Sequence, residues 1–128
     1  RQRDDDKRLL LLILGSPDFD RIARARIFLT VFPRSTLRPQ VLLLLGETAE
    51  ETAAKLAREA IRRLGALDST YYLNYSGLDR YNRQGVRFRF DRTARRFHYD
   101  GAAWKELIRR YPQSPEAIKA RERLAQLN

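Results

Sequence analysis

Apolar residues return along this chain in two rhythms. Over most of its length they recur every three to four positions, the period of an amphipathic helix, but between Val86 and Tyr99 they alternate with charged residues, the period of a strand. A first helix is predicted over Asp4 to Leu14, with three aspartates in the turn where the macrodipole favours negative charge and Gly15-Ser16-Pro17 as its stop. Its run Leu9 to Leu14 is short of polar residues, so much of this helix is expected to be buried. A second helix begins near Ser16 or Asp18 and runs to Phe32, with Ile22, Ala25, Phe28, Leu29 and Phe32 on one side. Arg21, Arg24 and Arg26 occupy its other sides and read as solvated. After a break at Pro33, Leu37 to Leu45 leads through Gly46 into Glu47 to Leu64, where Ala53, Leu56, Ala60, Ile61 and Leu64 form another apolar stripe. Gly46 either separates two helices or sits inside one.

Gly65 reads as a C-cap, and Asp68 or Ser69 as the cap of a helix reaching about Asn82 with Tyr71, Tyr75, Leu78 and Tyr81 along it. Then the period changes. Val86, Phe88 and Phe90 alternate with Arg87 and Arg89, and Phe97 and Tyr99 alternate with Arg96 and His98, so residues 86–99 are predicted to form a β-hairpin looping through Asp91 to Arg95. Asp100-Gly101 ends it, Ala102 to Tyr111 returns to helix, and Ser114-Pro115-Glu116 opens a last helix with Ser as N-cap and Pro at the first helical position. Ala117, Ala120, Leu124 and Leu127 line one face of that helix, the small alanines allowing its predecessor to pack close.

One phrase occurs twice. Phe32-Pro33-Arg34-Ser35 is matched 79 residues later by Tyr111-Pro112-Gln113-Ser114, and upstream Ala25, Phe28 and Leu29 are matched at the same offset by Trp104, Leu107 and Ile108. Each copy ends one helix and starts another, because Pro cannot continue an α-helix and Ser favours the N-cap. An offset of 79 is about twice the roughly 34 to 47 residues of common helical repeats, which predicts a diverged unit between the two recognisable ones.

Size and composition narrow the picture. A chain of 128 residues is read as one domain, able to bury a core without disulfides or metals. Cysteine is absent and histidine occurs once, which excludes thiolate metal sites, cysteine nucleophiles and His/Cys zinc centres. Twenty-six basic residues, twenty-two of them arginine, outnumber sixteen acidic ones to give a net charge of +10. That balance favours anionic partners such as acidic proteins, nucleic acid or lipid headgroups without choosing among them. The longest apolar run is far shorter than the roughly 20 residues of a membrane-spanning helix.

The segment from Trp104 to Ala120 resembles the tetratricopeptide-repeat family, most closely its variant in bacterial envelope proteins such as outer-membrane assembly lipoproteins and periplasmic cell-division coordinators. The resemblance rests on Trp104, Leu107, Tyr111, Pro112, Ser114, Ala117 and Ala120, and more loosely on Phe28, Phe32, Pro33, Ser35, Val41 and Leu45, covering about half of the chain. Asp100 departs from the pattern, standing where such repeats place a small residue, and the hairpin takes the place of an expected helix. The resemblance implies a mainly α single domain over residues 1–128, a right-handed superhelical stack of antiparallel helix pairs with one inserted hairpin. It implies a non-enzymatic protein-binding scaffold of the bacterial cell envelope, with no cofactor. The first residues, Arg1-Gln2-Arg3, lack a Met, so residues upstream are expected; the resemblance implies a periplasmic or membrane-associated location through such a segment, with a cytoplasmic one as the alternative.

The chain shows no Gly-rich phosphate loop, nucleophile elbow or dinucleotide fingerprint. Asp4-Asp5-Asp6 reads as helix-start charge, since consecutive helical carboxylates point in different directions. What stands out is the run Arg80, Arg83, Arg87, Arg89, Arg92, Arg95 and Arg96 against only Asp79 and Asp91. In strand register Arg87, Arg89 and Arg96 share a face with His98, opposite Val86, Phe88, Phe90, Phe97 and Tyr99. Arg80, Arg83, Arg87, Arg89, Arg96, His98, Tyr72 and Tyr75 are therefore the expected interaction residues, for a protein or peptide partner that is acidic in character. Self-association is a further possibility. Anion or nucleic-acid binding through residues 80–96 is the alternative; a solvated edge that blocks sheet aggregation requires no ligand at all.

Overall fold

The computed structural model describes residues 2–64, 78–91, 93–94 and 96–127. Among them are six helices, α1 (Gln2–Leu14), α2 (Asp18–Val31), α3 (Arg38–Leu64), α4 (Leu78–Arg83), α5 (Ala102–Arg110) and α6 (Pro115–Leu127), and one antiparallel hairpin, β1 (Phe88–Asp91) with β2 (Arg96–Tyr99). The chain is mainly helical with a small hairpin, as its two rhythms predict. These elements fall into two compact units: residues 1–48 together with 101–128, and residues 49–100. The first unit contains both copies of the repeated phrase, and the second is the stretch between them.

The two copies are built alike, bond for bond. Phe32 donates its N–H to the Phe28 carbonyl at 2.9 Å, as Tyr111 does to Leu107 at 2.9 Å. Ser35 donates to Phe32 at 3.3 Å and Arg38 to Ser35 at 3.3 Å; at the same offset Ser114 donates to Tyr111 at 3.0 Å and Ala117 to Ser114 at 3.1 Å. Burial repeats too: Ala25 and Phe28 are fully enclosed like Trp104 and Leu107, while Leu29 and Ile108 are both half-buried. The serines differ in detail. Ser114 Oγ accepts the Ala117 N–H at 3.1 Å as a helix N-cap, whereas Ser35 Oγ accepts the Leu37 N–H at 3.0 Å and donates to Asp6 at 2.6 Å. Asp6 is thus not part of an exposed charge cluster. It is turned inward from α1 to hold the first repeated turn, while Asp4 and Asp5 face solvent.

Two arginines expected to be solvated are instead structural. Arg21, in the first turn of α2, donates from Nε to the Ile13 carbonyl at 3.1 Å and from Nη2 to Leu14 at 2.9 Å, satisfying the carbonyls that α1 leaves open at its C-terminus. Arg24 donates to Ser16 Oγ, whose hydrogen goes to the Leu12 carbonyl at 2.6 Å, and only Arg26 of the three is exposed. The expectation that α1 is mostly buried is corrected likewise. Ile13 is fully enclosed, but Leu11, Leu12 and Leu14 are exposed, because successive helical residues turn by about 100° and one packed stripe against α2 cannot cover six of them.

Arg38 repeats the capping device one helix later and extends it. It is buried at the start of α3, donating from Nη1 to the Leu29 and Phe32 carbonyls of the α2 terminus at 2.7 and 3.4 Å. Its Nε donates to the Tyr111 hydroxyl at 2.8 Å, and its Nη2 lies 3.5 Å from Glu106 Oε2. One guanidinium therefore binds the aromatic residues of both repeated phrases.

Gly46 sits inside a single continuous helix, α3, and the reason lies across the unit. A Cβ at this position would stand 2.6 Å from the Trp104 ring, so glycine is what allows the fully buried indole of α5 to lie on the α3 backbone. Gly101, at φ +80°, serves twice: it takes a backbone conformation that L-residues avoid, and a Cβ there would press to 2.8 Å from Leu124 of α6. The alanine face of α6 is enclosed as expected, with Ala117 and Ala120 buried and α5 packed on the helix.

In the second unit, Ala49, Ala53, Leu56 and Ala57 of α3 are buried, while the side chains of the remaining stripe, Ala60, Ile61 and Leu64, lie outside those described. The predicted cap at Gly65 and the tyrosine-bearing segment 66–77 also lie outside the described residues. Helix α4 ends in a Schellman turn, with Gly85 at φ 75°, its N–H donated to Asn82 at 2.9 Å and the Val86 N–H to Tyr81 at 3.0 Å. That turn delivers the chain into β1. No helix among the described residues is long and apolar enough to cross a membrane.

Replacing Gly46 by Ala, with and without Trp104, isolates the indole contact. Intrinsic helix propensity alone would favour Ala by about 1 kcal/mol, whereas overpacking against a rigid ring should destabilise by about 1–3 kcal/mol; a fall in Tm that becomes a gain when Trp104 is also Ala is the expected result in thermal unfolding. Arg38→Met should cost about 1–3 kcal/mol by leaving the Leu29 and Phe32 carbonyls and the Tyr111 hydroxyl without their donor, Glu106 keeping Arg110 at 3.5 Å, with little recovered in Arg38→Lys, whose single ammonium cannot span the same acceptors. Denaturant titrations of the three proteins measure this.

Candidate functional site: the arginine face of the hairpin

The hairpin forms because residues 88–99 alternate and because Asp91 closes its turn. Register pairs Phe88 with Tyr99, Arg89 with His98, Phe90 with Phe97 and Asp91 with Arg96. The Phe90 and Phe97 rings meet edge-on at 5.0 Å between centroids, and Phe88 meets Tyr81 of α4 at 5.6 Å. Val86, Phe97 and Tyr99 are buried, and Phe88 and Phe90 half-buried, so the aromatic face is the packed one as the alternation predicts. Asp91 Oδ1 accepts the Thr93 and Ala94 N–H groups at 2.9 and 3.1 Å, an Asx-type turn, and its Oδ2 lies 3.5 Å from His98 Nε2.

The opposite face carries Arg87, Arg89 and Arg96, all exposed, with His98 half-buried among them. Arg87, Arg89 and Arg96 make no side-chain hydrogen bond or ion pair among the described residues, and neither does Arg83 in the last turn of α4, where a cation suits the helix dipole. Arg80 is engaged: its guanidinium lies over the Tyr81 ring, 5.2 Å from the centroid, with Nη2 3.4 Å from the hydroxyl. The structure thus brings four of the expected residues, Arg87, Arg89, Arg96 and His98, onto one sheet face and leaves Arg80 and Arg83 on a separate helix. Tyr72, Tyr75, Arg92 and Arg95 lie outside the described residues.

Two acidic residues belong to the same face. Asp91 shares the parity of Arg87 and Arg89, and Asp100, which donates its N–H to the Arg87 carbonyl at 3.1 Å, continues the parity of Arg96 and His98. The face is a pattern of both signs, less basic than the linear run of arginines. The signal for this was present in the alternation itself: residues two apart on a strand share a side, whatever their charge. Planar guanidinium forks spaced along a strand suit carboxylates or phosphates held at a matching repeat of about 6.8 Å. Among the described residues no group of three or more His, Cys, Asp or Glu side chains converges as metal ligands would.

The Ala94 N–H, aided by the Thr93 N–H and by His98, holds the Asp91 carboxyl below the usual carboxylate range. A carboxyl with a lowered folded pKa contributes to the turn above its unfolded value and loses that contribution as pH falls through the folded one. The Thr93 and Ala94 amide resonances should therefore move together with a midpoint on the acid side of an ordinary Asp, while in Asp91→Asn, whose neutral carbonyl can still accept both bonds, they should be flat with pH; NMR titration measures both. No known protein family, curated protein or solved structure matches this chain.

Proposed function

We propose that the chain is a non-enzymatic interaction scaffold of tetratricopeptide-repeat type from the bacterial cell envelope, in which two helix-turn-helix copies carry an intervening segment that meets a protein partner. The observation that carries this reading is the recurrence, 79 residues apart, of the same three turn hydrogen bonds and the same buried stripe. Helix-turn-helix recurrence of this kind is the building rule of repeat scaffolds, which offer surfaces for binding and bring no chemistry of their own. The exposed arginines of the hairpin would then govern encounter and orientation, with affinity supplied by a few packed anchors.

A second reading, anion or nucleic-acid binding, is favoured by the exposed guanidiniums of Arg83, Arg87, Arg89 and Arg96. Salt separates the two. Phosphate-backbone binding through these four arginines should fall by roughly a hundred-fold between about 50 and 200 mM salt, whereas capture of a protein partner should persist there, survive nuclease treatment and saturate. The double variant R87E/R89E, which leaves the packed aromatic face intact and should keep its Tm, is expected to weaken capture several-fold. Retention of nucleic acid alone in an affinity capture would overturn the scaffold reading.

A further inference from the structure

The hairpin has an open edge as well as a charged face, and the two adjoin. The Asp100 N–H to Arg87 carbonyl bond, taken with the register, fixes which residues face each other through their hydrogen-bonding groups across the hairpin: Arg87 and Asp100, joined by that one bond, then Arg89 with His98 and Asp91 with Arg96. The main-chain N–H and C=O groups of Phe88 and Phe90 therefore point the other way, along the outer edge of β1. The sheet described has only two strands, so that edge has no strand beside it among the described residues.

We propose that this edge accepts an extended acidic segment of a partner protein as a third strand, read by Arg87 and Arg89; the inference rests on the interaction-scaffold reading above. A strand hydrogen-bonded to Phe88 and Phe90 places alternate side chains beside Arg87, Arg89 and Asp91 on one face and beside Phe88 and Phe90 on the other. The matching segment alternates carboxylate and apolar residues, with a basic or neutral residue where it passes Asp91. A second copy of this chain is the weaker occupant of that edge: antiparallel pairing of β1 with β1 about Phe88 sets Arg87 against Arg89, and pairing about Phe90 matches only Arg89 with Asp91, whereas an acidic strand meets both arginines with carboxylates. A nucleic-acid strand is disfavoured too: on the arginine face the described hairpin residues include no Phe, Tyr or Trp ring for bases to stack on, and Asp91 and Asp100 stand among the cations. The exposed arginines beside the edge are thus the selectors for an acidic strand.

The test uses the intact chain and synthetic ten-residue peptides: one alternating Glu and Val, one of the same composition with Glu and Val in blocks, and one alternating Lys and Val, beside an oligothymidylate. The alternating Glu peptide should bind most tightly by isothermal titration and slow hydrogen exchange at the Phe88 and Phe90 amides. In R87E/R89E its affinity should drop by about ten-fold or more while the Lys peptide gains. Equal binding of the block peptide, unprotected Phe88 and Phe90 amides, or no exchange of preference in the variant would each overturn the edge inference. Tighter binding of the oligothymidylate would replace it with phosphate recognition. A partner captured by the chain but indifferent to R87E/R89E would sink the edge inference and leave the scaffold reading standing.

Discussion

Arg38 carries a full charge with almost none of its surface open to water, and the first unit depends on how that charge is satisfied. Removing a guanidinium from water is costly unless its donors find acceptors in good geometry. Here they find two backbone carbonyls that α2 could not use itself, a phenol and a carboxylate. Those acceptors come from residues 29 and 32 on one side and 106 and 111 on the other, so satisfying one side chain fixes the end of α2, the start of α3 and the end of α5 together. The Trp104 indole, seated on the bare backbone of Gly46, supplies the apolar half of the same junction. The polar contact is directional and the apolar one is area-dependent; together they specify both the rotation and the closeness of α5 on α3.

The repeated turns show how much side-chain variation a shared backbone tolerates. Their main-chain bonds coincide at every step, yet Ser35 gives its hydroxyl hydrogen to Asp6 while Ser114 gives its own to the Tyr111 carbonyl at 2.7 Å. Proline removes a donor and serine supplies an acceptor in both copies, and that is enough to set the path. The surrounding helices add arginines that reach back to close the preceding helix, Arg21 onto α1 and Arg38 onto α2. In a chain this rich in arginine, part of the positive charge is spent inside the fold on carbonyl oxygens and is no longer available to a partner.

The stretch between the copies has a different physical character. Its hairpin keeps aromatics on the packed side and charge on the open side, and the exposed guanidiniums are interrupted by Asp91 and Asp100. A mixed-sign surface of this kind favours partners with a matched pattern over any polyanion. The Asx turn at Asp91 ties that surface to the fold, since the same carboxylate closes the loop and faces His98.

The helical stripes, the breaks at Pro33 and Pro112, the N-cap at Ser114 and the two-faced hairpin are legible in the order of residues, because each depends on neighbours within one or two turns, and the kinship of the two turns is legible because each copy is itself local. That order by itself does not determine that Gly46 lies inside one helix. Both alternatives satisfy local propensity, and only the indole of Trp104, 58 positions away, requires a residue without a Cβ there. Asp6, Arg21 and Arg38 could not be told from solvated charges for the same reason: apart from Glu106 beside Arg38, 68 positions away, their partners are backbone carbonyls and hydroxyls, groups that nearly every residue or many residues possess and that leave no pattern in the sequence. Only Ile13 of the run Leu9 to Leu14 is fully enclosed, because composition says how apolar a helix is, whereas the number of neighbouring elements decides how much of it can be covered. Local chemistry thus wrote the elements, and long-range packing decided which charges belong to the interior and which remain to meet a partner.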